Sequence, residues 1–205
     1  MSIEWQEGKK GRRSLIYGVG LNDATYKTQY KLDGKIIRCP YYVAWSGMMR
    51  RCYSEKFKLS RPTYNGCYVC DEWKVFSSFK SWMIEQDWEG KQLDKDILFK
   101  GNKAYSPEFC VFVPALINSF IIANDANRGE LPVGVTWCDY HKKYKSSCSN
   151  PFTKKVESLG FFDSADEAYR AWVKRKHNHA VVLAGTVSED KIAKALINRF
   201  KGESI

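Results

Sequence analysis

The sequence predicts an α+β protein built in two modules, and three observations carry that expectation. Apolar residues recur at helical spacing through the first half, beginning with Tyr42, Trp45, Met49 and Cys52. From Gly134 to Phe162 the pattern changes to three short strand-like segments, followed by a helix that opens at Asp163. A polar stretch from Ala123 to Leu131, carrying Gly129, divides the two patterns.

Residues 1–40 read as a basic, turn-rich arm in which Leu15, Ile16 and Tyr17 precede Gly18-Val19-Gly20, too short a glycine pair to cradle a nucleotide. The first helix, from Tyr41, turns Arg50 and Arg51 away from its apolar stripe. Solvation and phosphate contact both suit that pair. Lys56 to Gly66, with Pro62 and Asn65-Gly66, reads as a loop. A second helix follows through Trp73, Phe76, Phe79 and Met83, with Asp71 placed to cap it.

In the second module the strands fall at Gly134 to Trp137, Lys143 to Ser149 and Lys154 to Phe162. Ser164 and Glu167 have capping-box spacing, so the helix start is well marked, and Ala168, Ala171 and Trp172 then face the sheet. Lys174 to His179 make a basic end. His177 and His179, two apart, do not share a helix face and read as surface or sheet-packing residues. Ser188 to Phe200 suits a further amphipathic helix.

Composition narrows the function classes. The longest apolar runs, Phe109 to Leu116 and Ala180 to Ala184, fall far short of the ~20 residues that cross a bilayer, so the expectation is a soluble, cytoplasmic protein without a membrane partner. Seven cysteines, an odd count without regular spacing, point to reduced thiols. Cys67 and Cys70 form one close pair, with Cys52 and Cys110 as the nearest partners. A lone pair is weak evidence for zinc, and inert thiols are the better reading. The formal net charge is +10, and residues 1–61 supply eight of those charges, with thirteen Lys/Arg against five Asp/Glu. A solvated surface explains any single cluster; concentration in one segment favours a polyanionic partner.

The segment Leu93-Asp94-Lys95-Asp96-Ile97-Leu98, its loop Gly101-Asn102-Lys103, and the run from Tyr105-Ser106-Pro107-Glu108 through Val113-Pro114 resemble the core of phage HNH-type proteins of the His-Me finger nuclease class. Trp45, Arg51, Cys52 and Tyr53, with Val69 to Trp73, match a run found in the same proteins. The resemblance implies a ββα-metal core with flanking helices: strands Leu93 to Leu98 and Phe109 to Val113, then a helix from Pro114 to Asn124. In that family the first strand supplies a general-base histidine and the second an asparagine; here Lys95 and Phe109 hold those positions. It further implies a degenerate catalytic site of Asp94, Lys95 and Asn118; the carboxylates of Asp94 and Asp96, with Asn118 in reach, are the candidate Mg²⁺ ligands, and the resemblance supports Asp94 more than Asp96. A lysine with a pKa near ~10.4 is protonated, a better phosphate anchor than a base.

The second module resembles the ethylene-response-factor type of DNA-binding domain, on Gly134-Val135, Tyr144, Leu159-Gly160-Phe161 and the Asp163 to Ala168 helix start. This implies double-stranded DNA as partner and a three-stranded antiparallel sheet, packed on one helix, that enters the major groove. Alternation places Val135 and Trp137 on one face, which makes Trp137 a core residue. Thr136, Lys145, Ser147 and Ser149 then face the groove, with Lys142, Lys143, Lys154 and Lys155 available for phosphates. The strand arginines of that family are missing, which argues against strong base specificity.

The expected organisation is an arm (1–40), an HNH-like domain (41–128), a DNA-binding domain (129–184) and a C-terminal helix (185–205). The expected function is a phage-type double-stranded DNA-binding protein on a homing-endonuclease scaffold with a degenerate site. Two alternatives stand beside it: an active Mg²⁺-dependent endonuclease, and a host-takeover or anti-defence protein whose partner is another protein.

Overall fold

A computed structural model of the chain describes residues 15–121 and 130–201. The protein is α+β with small sheets, and it forms two compact units that part between Pro114 and Ala115. No helix among the described residues is long and apolar enough to cross a membrane.

The first unit opens with two antiparallel hairpins, β1 (Leu15–Ile16) with β2 (Gly20–Leu21) and β3 (Gln29–Leu32) with β4 (Lys35–Arg38). The arm read from the sequence is therefore ordered from Leu15 onward; its first fourteen residues lie outside the described set. Side-chain contacts explain why. Gly20 sits so close to Met49, Ile16 and Trp45 that any Cβ would crowd all three, and Tyr26 and Cys39 are buried with the core.

That core is aromatic. Helix α1 (Pro40–Tyr53) buries Trp45, Met48, Met49 and Cys52 on one face, as its spacing predicts, and Trp45 Nε1 donates to the Trp73 carbonyl at 2.7 Å. The expected loop at 56–66 instead holds α2 (Glu55–Ser60), capped by the Ser54 hydroxyl, and a single 3₁₀ turn at Pro62–Tyr64. After β5 (Tyr68–Val69), α3 (Phe76–Ile84) buries Phe76, Phe79 and Met83. Asp71 does not cap it: that carboxylate pairs with Lys74, and Asp23 accepts from the Ser77 amide at 2.9 Å and the Ser77 hydroxyl at 2.6 Å. A residue 54 positions upstream thus does the work of a local cap.

Strand β6 (Lys91–Asp94) pairs antiparallel with β8 (Val111–Pro114), and β7 (Ala104–Tyr105) runs parallel to β5. The expected strand Leu93 to Leu98 stops at Asp94, whose Oδ1 accepts from the amides of Asp96 (2.9 Å) and Ile97 (2.7 Å) and so bends the chain out of the ladder. The second strand starts two residues later than expected, and Pro114 ends it rather than opening a helix.

In the second unit α4 (Ala115–Ile121) is described up to Ile121; the remainder of the expected helix, to Asn124, lies outside the described residues, as does most of the polar divider. The antiparallel sheet has the order β11 (Val156–Phe162), β10 (Lys143–Ser149), β9 (Val135–Cys138), a simple meander. Against one face lies α5 (Ala165–Ala184), whose Ser164 hydroxyl accepts from the Glu167 amide at 3.2 Å. It buries Ala168, His179, Ala180, Leu183 and Ala184, and α6 (Asp190–Arg199) folds back on it through Ile192 and Leu196. Lys176, in the expected basic end, lies 3.7 Å from the centre of the Phe120 ring, near Trp172 and Phe200, and donates to the Phe120 carbonyl. Burial lowers its pKa.

Candidate nucleic-acid interface

Two sets of residues bear on function, one in each unit. The first surrounds Lys95. The residue is only 7% exposed, and its ammonium donates to the Asn102 carbonyl at 2.5 Å and to Asp96 Oδ2 at 3.1 Å. Asn102 answers through its amide, which donates to the carbonyls of Lys95 and Ala104 at 2.7 Å each, while its Oδ1 accepts from the Ala104 amide. Lys95 is therefore not the phosphate anchor the sequence suggests, because its charge closes the loop between β6 and β7.

Asp94 and Asp96 do lie together. Burial, and secondly the charge of Asp96, push the Asp94 carboxyl above its ordinary range. Asp94 Oδ1 is taken by two amides and Asp96 Oδ2 by the Lys95 ammonium, so a divalent cation held by this pair would sit beside a positive charge. Asn118, the third ligand expected, belongs to the second unit, on α4. Phe109 packs edge-on against Phe99 at 5.3 Å, an apolar contact at the position where the asparagine was expected. Burial pushes the thiols of Cys52 and Cys110 up to about 12, and among the described residues no three His, Cys, Asp or Glu side chains gather as a metal-holding set.

The arginine pair divides. Arg51 turns inward, donating from Nε to the Tyr105 hydroxyl at 2.9 Å with its guanidinium over the same ring, while Arg50 is exposed and lies over Phe57 at 5.0 Å. Only Arg50 keeps the outward direction read from the helix pattern.

The second set is the open face of the β9–β11 sheet. Thr136 stands opposite Lys145, and Lys145 opposite Phe161, so one row crosses all three strands. Ser146 and Cys148 are buried towards α5, which leaves Lys143, Lys145, Ser147 and Ser149 on the other face. A register shift between Ser146 and Ser147 gives β11 one extra residue there.

Two lysine-bearing turns bound this face. At one end, Asn150 Oδ1 accepts from the amides of Phe152 and Thr153, Asn150 exchanges backbone hydrogen bonds with Lys154 and Lys155, and Lys154 takes a φ of 59°. Lys154 and Lys155 are exposed and have no carboxylate in ion-pair range among the described residues. At the other end Lys142 pairs with Asp139 at 3.6 Å and Lys143 with Asp163 at 3.0 Å, solvent-exposed pairs that hold little energy. The seven residues of β10, at ~3.3 Å each, set the turns about 20 Å apart, more than the ~12 Å width of a major groove.

Trp137 departs from its expected core role. Val135 is buried, but Trp137, on the same side of the strand, is 44% exposed, packs edge-on to Tyr144 and donates from Nε1 to Asp139. Alternation fixes the face, not how far the helix reaches over it. Here Trp172 covers the Gly134 end and leaves the Trp137 end open.

The sequence missed the network that holds the face to α5. Glu157 accepts from Arg175 at 2.6 and 2.8 Å and from Asn150 Nδ2 at 2.8 Å, and lies 3.2 Å from His179 Nε2. Arg175 first, then Asn150, holds its carboxyl down at about 2. An acid in strand three and an arginine eighteen residues on in the helix would have been the only signal. Comparison of the chain with protein-family models, with curated proteins and with solved structures finds no match to any of them.

Proposed function

We propose that this chain is a phage-type double-stranded DNA-binding protein, built on an HNH homing-endonuclease-like scaffold whose cleavage chemistry has decayed. The observation that carries the reading is the open sheet face, where Thr136, Lys145, Ser147 and Ser149 lie between two turns bearing Lys142, Lys143, Lys154 and Lys155. Lysines at both ends suit the two phosphate backbones that flank a groove, and short polar side chains between them suit base edges without demanding one sequence. A net charge of +10 supplies the long-range attraction. The decayed-site part of the reading is supported by Lys95 standing where the base is expected and by the engagement of its ammonium and of Asp94 Oδ1 in loop-closing hydrogen bonds.

The test is duplex binding measured by fluorescence anisotropy across a salt series. The unmodified protein is expected to bind with a steep fall in affinity as salt rises. Lys154→Glu with Lys155→Glu lowers affinity at least tenfold and reduces the log–log salt slope by about two, with an unchanged far-ultraviolet spectrum. Equal affinity in the double variant removes the sheet's assigned role. Supercoiled plasmid incubated with protein and Mg²⁺ should stay intact; nicking abolished by Asp94→Ala would establish the endonuclease alternative.

A further inference from the structure

The β9–β10 turn carries a feature that groove binding by lysines does not use. Tyr140, at the turn's tip, is 89% exposed, and Phe161, at the same end of the open face, is 40% exposed. Tyr140, His141 and Phe161 form a connected set of rings at one end of the sheet. Tyr140 lies edge-on to His141 at 4.9 Å, and His141 packs on Phe161 at 4.2 Å. Within the turn Asp139 accepts from Trp137 Nε1. A tyrosine ring, with only two side-chain torsions to fix, loses little freedom when another flat group stacks on it.

The charge around the rings is complementary to a polyanion. Lys142, Lys143 and Lys145 surround the turn, and the two acids nearby, Asp139 and Asp163, are each paired with one of these lysines. Exposed aromatic rings beside lysines offer both contacts that an unstacked nucleotide needs, a face for the base and cations for its phosphate. Paired duplex offers edges and phosphates but keeps its base faces covered, so Tyr140 has nothing to stack on there.

Resting on the DNA-binding reading above, we infer that the Tyr140 turn is a base-stacking site, and that the favoured ligand is DNA carrying an unpaired base rather than perfect duplex. The probe is a duplex with a single bulged 2-aminopurine, compared with the fully paired duplex of the same length. The protein binds the bulged duplex about tenfold more tightly and quenches the 2-aminopurine. Tyr140→Ala removes both effects while holding paired duplex within twofold; Tyr140→Phe, which keeps the ring, preserves them. A bulge preference and quenching unchanged in Tyr140→Ala overturns the inference, as does the lack of any bulge preference in a protein that binds paired duplex, and both leave the DNA-binding reading standing. Failure to bind either duplex overturns the two together.

Discussion

At Gly134 two constraints coincide, a φ of +77° and an indole, that of Trp172, whose Cδ1 would lie 2.0 Å from an added Cβ. Gly134→Ala is expected to cost about 2–4 kcal/mol, because either the strand start or the helix face must move. Gly34→Ala, with a similar φ of +76° and open space around it, meets the backbone constraint alone and should cost about 1 kcal/mol. Urea unfolding of both variants checks this, and equal losses would show that the Trp172 contact is immaterial. Single residues were the least legible scale in the sequence. Arg51 looked like a surface cation because the tyrosine it meets lies 54 positions away, and Lys95 looked like an anchor because its partner is a backbone carbonyl across a loop. Periodicity reports which side of a helix or strand a residue occupies, not what comes to meet it.

The contact of β11 with α5 titrates. Glu157 binds protons more weakly in the folded protein than in the unfolded chain, with its carboxyl at about 2, principally through Arg175. Its contribution is therefore present above the ordinary glutamate value of about 4.3 and is lost as pH falls from there towards 2. Glu157→Gln should flatten the pH dependence of the melting temperature over that acid window; parallel wild-type and variant profiles would contradict it. Elements were more legible than residues. The buried stripe of α1, the helix cap at Ser164 and the three-strand meander all rest on neighbours in sequence, and all are found. The early end of β6 and the two-residue pairing of β5 with β7 rest on an aspartate's turn and on a partner 36 positions on, and no local pattern announces either.

The second unit has apolar residues enough for its own core: Ile117, Val135, Leu183, Ile192 and Leu196 are all buried. A fragment starting at Ala115 is therefore expected to fold alone, to unfold cooperatively and to retain salt-sensitive duplex binding, as read by calorimetry and anisotropy. A fragment that folds but does not bind would shift the interface to the first unit, where Arg50 and the basic N-terminal sequence lie. The parting point at Pro114 was not legible in the sequence, because a proline suits a strand's last residue as readily as a helix's first. The enclosed amine of Lys95 gives this first unit a built-in chemical clock. An acylating reagent that modifies the outlying lysines at once can reach this one only when the loop between β6 and β7 lets go, so its labelling rate measures how often that part of the molecule opens.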